Sequence, residues 1–227
     1  MICELNSTPL EKSSSQVIVS ASISIGSYIL PKILIEFYLH RRENVDISLM
    51  LSDTDHALSA VELRHSDLAI TSGDGLPNCT TLTSEIIGRE RIVAVAAPGY
   101  PLQPEALTGD TLEVSPLIRP PRGHAFREQT DQQLSMYGIH PRNEVMRLGH
   151  PEAMKRAAEA GIGICLIPLS SVERELSVGS LRQVNLESIE LMAPIVASIR
   201  KGKSLHETQI QLLDRIRRYF SEPEGNG

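Results

Sequence analysis

The sequence contains no tryptophan, and aromatic residues make up only 4% of its 227 residues. Proteins that bind single-stranded nucleic acids stack the bases on aromatic side chains. The composition therefore argues against a base-stacking platform, and equally against an aromatic floor for sugars.

A surplus of basic residues is also missing. The chain has 22 Lys and Arg against 28 Asp and Glu, for a net charge of −6. Binding to a phosphate backbone needs clustered Lys and Arg, so no nucleic-acid surface is expected on this chain. One locally basic segment, RIRRYF at residues 215–220, falls on a predicted helix and is interpreted as its solvated face.

Cysteine and long apolar runs are equally scarce. Cys3, Cys79 and Cys165 are odd in number and far apart, so they predict neither a disulfide framework nor a CxxC metal site. No stretch approaches the roughly 18 apolar residues of a transmembrane helix. The N-terminus lacks the basic and apolar regions of a secretory signal. We therefore expect a reduced, cytoplasmic protein.

The sequence does contain a regular alternation of strand and helix patterns. Short apolar runs typical of buried strands are followed by segments in which apolar residues recur with helical spacing. The predicted strands cover residues 17–21, 45–51, 67–71, 91–97, 117–118, 145–148, 162–167, 181–184 and 189–200. The predicted helices cover residues 25–41, a segment from a cap at 52–54 to residue 64, and residues 123–136, 151–160, 169–176 and 205–220.

This order of elements predicts an α/β fold in two lobes. Alternating strands and helices favour parallel sheets that are covered by helices. One series ends near Ala97 and a second near Leu191, which leaves a last strand and helix to return to the first series. Two such crossings would join hinged lobes. Because ligands of open α/β sheets lie beyond the carboxyl ends of the strands, the cleft between the lobes is the expected binding site.

Four segments, in order along the chain, resemble those of a known family. The segment ASISIGSYILPKILIEFYLHRRENVDISL has small residues at a strand end, a helix with Leu-Pro and a further strand. HSDLAIT, RERIVAVAAPGYPL and PEAMKRAAEAGIGICLIP follow it. Each segment alone is a weak signal, but their order and separations over about residues 17–220 are specific. The sequence resembles the effector-binding domain of LysR-type transcriptional regulators.

The resemblance implies a type 2 periplasmic-binding-protein-like fold with two Rossmann-like lobes joined by a two-strand hinge. Lobe I would comprise residues 17–93 and 195–222, lobe II residues 94–194, and residues 1–16 a linker or tail. The resemblance also implies an effector in the cleft and a homodimer or tetramer formed through this domain. DNA would be bound only through a helix-turn-helix domain. Residues 1–16 are too few to form one, so an excised domain or a natural fragment is expected.

The candidate effector-binding residues of lobe I carry hydroxyl groups and follow two strands. Ser22 and Ser24 lie between the first strand and its helix, and Thr71 and Ser72 end the third strand. Hydroxyls there can donate hydrogen bonds to an effector beside the positive end of the helix dipole. The alternative is that the serines only cap the helix, as Ser52 is expected to do for the second helix.

The lobe II candidates surround the segment IRPPRGHAFREQ. Family members have a turn of small residues here, which this sequence matches at Gly123 and Arg127 but not at His124 and the two residues after it. Arg119 and Arg127 are predicted to bind an anionic effector, because guanidinium groups prefer carboxylate or phosphate partners. His124, and His150 at the start of a later helix, are predicted to be neutral hydrogen-bonding residues of the cleft.

No catalytic constellation is present in the sequence. It has no GxSxG elbow, P-loop, HExxH or GxGxxG motif, and no HxH or HxxxH spacing for a metal ion. We expect no enzyme activity, no cofactor and no metal. The predicted function is the ligand-sensing, dimerising domain of a LysR-type regulator that binds a small anionic metabolite. The alternatives are a stand-alone solute-binding protein and an enzyme on the same two-lobed fold.

Overall fold

The computed structural model describes residues 16–41, 45–73, 79–102 and 106–221. Of the predicted tail at residues 1–16, only Gln16 lies within these ranges, and residue 222 of the predicted lobe I lies outside them. The β-strands are β1 (Gln16–Ser22), β2 (Asp46–Ser52), β3 (Leu68–Ser72), β4 (Leu82–Ala96), β5 (Ala106–Leu107), β6 (Leu117–Arg119), β7 (Glu144–Arg147), β8 (Ile164–Pro168), β9 (Arg182–Leu186) and β10 (Leu191–Arg200). The α-helices are α1 (Leu30–Leu39), α2 (Thr54–Glu62), α3 (Gly109–Val114), α4 (Ala125–Met136), α5 (Pro151–Glu159), α6 (Glu173–Val178) and α7 (Glu207–Ser221). Within these described ranges, no helix has the length and hydrophobicity to span a membrane.

One hydrogen-bonded path of strands runs through the whole fold, in the order β2-β1-β3-β10-β4-β8-β6-β7. The strands β2, β1 and β3 are parallel, and so are β8, β6 and β7. Between these parallel halves, β10 and β4 run antiparallel to each other and to their outer neighbours. The strands β4 and β10 are therefore the two predicted crossings of the chain, and the two-lobed α/β architecture is confirmed.

The two halves have separate hydrophobic cores. The lobe I core packs β1 and β3 against α1 and α7, with Ile33 and Leu212 among its members. Lobe II has two clusters, one on each face of its sheet. On β4, Ile87 belongs to the lobe I core and Ile92 to a lobe II core. The cores thus divide along the crossing strands, and the predicted lobe boundaries at residues 93 and 195 stay a prediction.

The pairing of the two crossing strands is irregular near its middle. Ile195 pairs with Gly88, but the next residue, Val196, pairs with Ile86, so that one residue of β4 is left unpaired. A bulge of this kind bends the strand and breaks the regular ladder. A Cβ atom added at Gly88 would lie 2.4 Å from the Phe220 Cβ, so a larger residue would displace α7. The join between the lobes is therefore a bent segment of sheet.

The first predicted helix, residues 25–41, is divided in two. The N–H of Leu30 donates to the carbonyl of Ile25, five residues back, which makes Ile25–Ile29 a π-helical turn. The helix α1 begins only at Leu30, with Pro31 in its first turn. Proline has no N–H to return to the preceding turn, and its ring crowds the carbonyl four residues back. The turn before Pro31 is therefore wider than an α-helix.

Three further elements differ from the sequence prediction. The strand β4 begins at Leu82, whereas the sequence predicts a strand only over residues 91–97, because the first half of β4 carries polar and partly exposed residues. The sequence does not predict β5 or α3. The side chain of Thr108 accepts a hydrogen bond from the N–H of Thr111 and so caps α3, a short helix with little apolar periodicity.

Candidate functional site

A cavity of about 260 Å³ lies between the two lobes, beyond the carboxyl ends of the lobe I strands. The three parallel strands of lobe I each end in a serine that lines this cavity: Ser22 on β1, Ser52 on β2 and Ser72 on β3. Ser22 and Ser52 are paired in the sheet register. The parallel register therefore sets three hydroxyl-bearing residues side by side at the ligand-binding edge of an α/β sheet.

The serine at the end of β3 has an unused hydroxyl group. The N–H of Ser72 donates to the Oγ of Ser22 over 3.2 Å, and its carbonyl accepts from the Oγ1 of Thr54 over 3.1 Å. The Ser72 Oγ itself is buried and has no hydrogen-bond partner in the described part of the chain. Buried polar atoms are nearly always hydrogen-bonded, so a ligand in the cavity could supply the missing partner.

Several helix N-termini surround the cavity. On lobe I, the π-helical turn follows Ser24, whose side chain makes no capping hydrogen bond, and α2 begins at Thr54. On lobe II, α4 begins at Ala125 and α5 at Pro151, and both residues line the cavity. The partial positive charge at a helix N-terminus favours anions, although the side-chain caps of α2, α4 and α5 each already use one N–H group. Four such ends therefore give the cavity a positive electrostatic contribution.

The carboxylates of Asp53 and Asp55 lie among these donors. Asp53 caps α2, because its Oδ1 accepts a hydrogen bond from the N–H of His56 over 2.9 Å. The Oδ2 of Asp53 lies 2.7 Å from the Nδ1 of the His56 ring. The backbone hydrogen bond from His56 contributes most to lowering the pKa of Asp53, and the His56 and His124 rings act in the same direction. No Lys or Arg is among the described residues that line the cavity.

The lobe II wall of the cavity is mainly apolar. Phe126, Met154 and Ile167 line it, together with Pro120 and Pro168. Hydroxyl and carboxylate groups face them from lobe I. Cavities that bind small molecules are typically apolar with a few converging polar groups, so these two walls suit a small molecule with a polar end and an apolar body.

The chain from residue 11 to residue 221 matches the model of one protein family, the LysR substrate binding domain. The chain belongs to this LysR family. Because the match covers nearly the whole chain, the resemblance carried by the four sequence segments is confirmed. The LysR fold accounts for the position of the cavity at the strand ends, between two lobes joined by β4 and β10.

A curated relative of this LysR domain is a transcriptional regulator. The chain is 29% identical over 203 residues to the uncharacterized HTH-type transcriptional regulator YeiE of Escherichia coli (strain K12). The match covers 89% of this chain and 65% of YeiE. The LysR domain described by this chain therefore spans less than two thirds of the length of that relative.

Two solved domains share the fold. The Synechocystis PCC6803 CcmR regulatory domain, in complex with 2-PG, has a TM-score of 0.78 and 18% identity, over 91% of this chain and 98% of that one. The effector binding domain of QuiR, in complex with shikimate, has a TM-score of 0.77 and 17% identity. That match covers 92% of this chain and 99% of the QuiR chain. These likenesses confirm the type 2 periplasmic-binding-like fold of the LysR domain. YeiE is named a transcriptional regulator, and the CcmR domain a regulatory domain.

The LysR domain brings some of the predicted site residues together at the cavity and leaves others out. Those that line the cavity are Ser22, Ser24, Ser72, Gly123 and His124. Gly123 has φ of 82°, which glycine adopts without strain at the turn before α4. Thr71 is buried and does not line the cavity, because successive side chains of a strand point to opposite faces. That the lining residues bind an effector stays a prediction.

The structure places Arg119 and Arg127 outside the cavity that they are predicted to line. Arg119 forms an ion pair with Asp131. The Nη2 of Arg127 lies 2.7 Å from the Oε2 of Glu144, its Nε lies 3.4 Å from the Oδ2 of Asp131, and its Nη1 donates to the carbonyl of Pro120 over 2.8 Å. Both side chains are buried, at 5% and 6% exposure. The two guanidinium groups thus tie β6, β7 and α4 together behind the cavity wall.

His150 serves the helix that follows it. Its Nδ1 accepts a hydrogen bond from the N–H of Glu152 over 3.2 Å and so caps α5. The neighbouring Gly149 and Pro151 line the cavity, whereas the exposed His150 does not. His124 caps α4 in the same way and also lines the cavity. Of the two predicted histidines, the structure therefore places only His124 at the cavity.

Sequence reasoning missed several residues of the cavity wall, among them Ser52, Asp53 and Phe126. Ser52 is expected to cap α2, but Asp53 does so, and the Ser52 hydroxyl donates instead to the Asp53 carbonyl over 3.1 Å. The signal that could have selected Ser52 is its place at the end of β2, level with Ser22 at the end of β1.

A direct contact joins the lobes beside the cavity. We call it the Tyr28 bridge: Tyr28 of the π-helical turn, and Glu152 and Lys155 of α5. The hydroxyl of Tyr28 donates to the Oε1 of Glu152 over 2.5 Å, and the Nζ of Lys155 lies 2.6 Å from that oxygen and 5.0 Å from the centre of the Tyr28 ring. Burial, reinforced by the bond to Glu152, raises the pKa of Tyr28, so its hydroxyl remains a donor.

Clusters of possible metal ligands and the thiol of Cys165 bear on metal and redox chemistry. No group of three or more His, Cys, Asp and Glu side chains that could hold a metal ion occurs over residues 16–41, 45–73, 79–102 and 106–221. Cys165 is buried, and its Sγ donates to the Met154 carbonyl over 3.3 Å. Burial raises the pKa of Cys165 to about 12, so it is an inert thiol at neutral pH.

Proposed function

We propose that this chain is the ligand-sensing, dimerising domain of a LysR-type transcriptional regulator, and that it binds a small anionic metabolite between its lobes. The observation that carries the proposal is the convergence of three strand-end serines and four helix N-termini on one cavity. CcmR and QuiR, which have the same fold, were each solved in complex with a small ligand.

Neutral donors would hold the acid group of this metabolite. The N–H groups at helix N-termini bind phosphate, sulfate and carboxylate groups without help from Lys or Arg. The Ser24 side chain makes no capping hydrogen bond, and the Ser72 Oγ has no partner in the described chain, so both hydroxyls are free to donate. The acid group would lie against lobe I, with the carbon skeleton against Phe126 and Met154 of lobe II.

Binding would favour one arrangement of the two lobes over another. A ligand shifts such an equilibrium by the difference in its affinity for the two arrangements. The irregular pairing of β4 with β10 is where the joined lobes would bend. In the whole protein, located in the cytoplasm, this shift would change the DNA affinity or DNA bending of a helix-turn-helix domain.

The dimer would use the outer surfaces of both lobes, beside the end strands β2 and β7. Ile35 and Leu39 of α1 are 59% and 72% exposed, and Met50 and Leu51 of β2 are 46% and 47% exposed. The strand β2 ends the sheet on this side, and β7 ends it on the lobe II side with Val145 exposed. Open edge strands that carry apolar side chains readily pair with another chain. Two antiparallel copies would cover both edges with one symmetric interface.

The cavity assignment is tested by a thermal-shift panel of carboxylates and phosphorylated metabolites, followed by calorimetric titration of each compound that raises the melting temperature. We expect at least one acid to bind, and Ser72→Ala to bind it about tenfold more weakly, because one hydrogen bond to a charged group is lost. The ligand-free melting temperature should not change, since the Ser72 Oγ has no partner in the described chain.

The matched control is Ser27→Ala. Ser27 is exposed on the same π-helical turn and does not line the cavity, so its removal should leave the affinity at the wild-type value. The proposal fails if no acid raises the melting temperature of the wild-type chain. It fails equally if Ser72→Ala binds the acid as tightly as Ser27→Ala does.

A further inference from the structure

The lobe I wall carries more negative charge than a site for a simple anion needs. Asp53 and Asp55 both line the cavity, and the Asp53 side chain is 56% exposed. Besides the helix N-termini, the groups that oppose these charges are the imidazoles of His56 and His124, and no described lining residue is Lys or Arg. Like charges a few ångströms apart repel by about 1 kcal/mol even in water. A ligand with an acid group and nothing else would meet this repulsion.

Asp53 has acceptor capacity that the protein does not use. A carboxylate can accept about four hydrogen bonds. His56 supplies two donors, its N–H at 2.9 Å from Oδ1 and its Nδ1 at 2.7 Å from Oδ2. The other acceptor positions of the Asp53 carboxylate are exposed at the cavity, where a ligand that carries a hydrogen-bond donor would reach them.

From this arrangement we propose that the effector carries a hydroxyl or ammonium group close to its acid group, and that this group donates a hydrogen bond to Asp53. The effector is then a hydroxy acid or an amino acid, and not a simple carboxylic acid or an inorganic anion. This inference rests on the proposed function, because it concerns the ligand of the same cavity.

The two polar groups of such a ligand have adjacent partners on lobe I. Asp53 directly follows Ser52, and Ser52 pairs in register with Ser22. Ser22 is in turn joined to Ser72 by the hydrogen bond from the Ser72 N–H. The acid group lies at the serines and the helix N–H groups, the donor group at Asp53, and the carbon skeleton against Phe126.

Capping of α2 does not by itself require a charged residue at Asp53. The cap uses the Oδ1 as acceptor for the His56 N–H, and the amide oxygen of asparagine caps as well as a carboxylate does. The substitution Asp53→Asn therefore keeps the cap and removes the charge. It separates a role in ligand selection from a role in holding the helix.

The experiment uses sets of acids that share one carbon skeleton. One set is 3-phenylpropionate, 3-phenyllactate and phenylalanine, and a second is butanoate, 2-hydroxybutanoate and 2-aminobutanoate. Shikimate with cyclohexanecarboxylate forms a third. Each compound is titrated calorimetrically against the wild-type chain, Asp53→Asn and the control Asp110→Asn, which removes an acid from the first turn of α3. Any acid found in the wider panel is titrated beside its own unsubstituted analogue.

We expect the hydroxy or amino member of a set to bind at least tenfold more tightly than the unsubstituted acid, because a hydrogen bond to a carboxylate is charge-assisted. Asp53→Asn should reduce this preference to less than threefold, and Asp110→Asn should preserve it. Whether the hydroxyl or the ammonium member binds more tightly identifies the donor.

Two outcomes overturn the inference and leave the proposed function standing. One is an unsubstituted acid that binds within threefold of its hydroxy and amino analogues. The other is a preference that survives in Asp53→Asn. If no compound in the sets or in the wider panel binds, the proposed function fails and the inference fails with it.

Discussion

At the scale of single residues, the role of the Arg127 side chain depends on the partners that the fold places beside it. Arg127 matches the family's turn and has the chemistry to bind an anion, yet its guanidinium contacts Glu144, Asp131 and the carbonyl of Pro120. Glu144 lies on β7, a different element, so the local sequence around Arg127 does not reveal this partner. Burial of the pair makes it a structural feature of lobe II.

We expect Arg127→Ala to destabilise the chain by about 2–4 kcal/mol, because a buried ion pair loses one partner while Glu144 remains. Urea unfolding followed by circular dichroism measures the free energy of unfolding. Arg122→Ala is the control: Arg122 is exposed, so the expected change is within about 0.5 kcal/mol. If Arg127→Ala binds the effector more weakly but is as stable as the wild type, Arg127 is an effector-binding residue and the structural role is wrong.

The same variant should change the pH dependence of stability. Burial raises the pKa of Glu144, but hydrogen bonds and charges from Arg127 and Arg147 outweigh it, so the pKa is lowered. A carboxyl whose pKa is lower in the folded chain stabilises the fold above its unfolded pKa of about 4.3, and this contribution is lost as pH falls through the folded pKa. The free energy of unfolding of the wild type should therefore approach that of Arg127→Ala as the pH falls below about 4.

At the scale of elements, the π-helical turn decides how the lobes touch. Pro31 cannot continue the hydrogen-bonding of the preceding turn, so Ile25–Ile29 widens before α1 begins. Tyr28 lies on this turn and donates to Glu152 on α5, while Ser24 just before it lines the cavity. The cavity residue and the interlobe contact thus lie within five residues of each other, which would couple the proposed ligand binding to the position of lobe II.

We expect Tyr28→Phe to lower the free energy of unfolding by about 1 kcal/mol, since one hydrogen bond is lost while the ring stays over Lys155. The variant should also speed amide hydrogen exchange in the π-helical turn and in the first turn of α5, because the interlobe restraint is gone. Hydrogen exchange read by mass spectrometry measures this effect.

Tyr137→Phe is the matched control for the Tyr28 bridge. The Tyr137 hydroxyl donates to the Glu190 carbonyl over 3.1 Å within lobe II, so the same hydroxyl is removed without an interlobe contact being lost. Its exchange rates in the π-helical turn should stay at the wild-type values. If both variants show the same rates there, the Tyr28 bridge does not restrain the lobes.

At the scale of the whole molecule, one path of strands joins the separate cores of the two lobes, and in the described part of the chain this path ends in two open edge strands. The strands β2 and β7 are the ends of the path, and exposed apolar side chains accompany both. A closed dimer would remove both edges together. This arrangement predicts that self-association is a property of the outer surfaces of the two lobes and not of the cavity.

We expect the wild-type chain to sediment as a dimer at micromolar concentration and Ile35→Asp to sediment as a monomer. A charge at Ile35, which is 59% exposed in the single chain, would be buried without a partner in the dimer. Sedimentation velocity measures the mass. The control Val178→Asp places the same charge at a 70% exposed position on α6 and should remain dimeric. A monomeric wild-type chain would contradict the proposed interface.

The sequence by itself determined the fold class, the order of most elements and two of the three strand ends that line the cleft. These features follow from apolar periodicity and turn residues, which act over a few neighbouring positions; Ser22 and Ser72 could be placed at the cleft for this reason. The tertiary structure alone decided which charged groups face the cavity. Which groups do so depends on partners that are far apart in the chain. Arg127 lies behind the cavity wall because it forms an ion pair with Glu144. Asp53 remains exposed at the cavity, where His124 helps to lower its pKa. A buried charge must find a counter-charge somewhere in the fold, and local pattern does not say where.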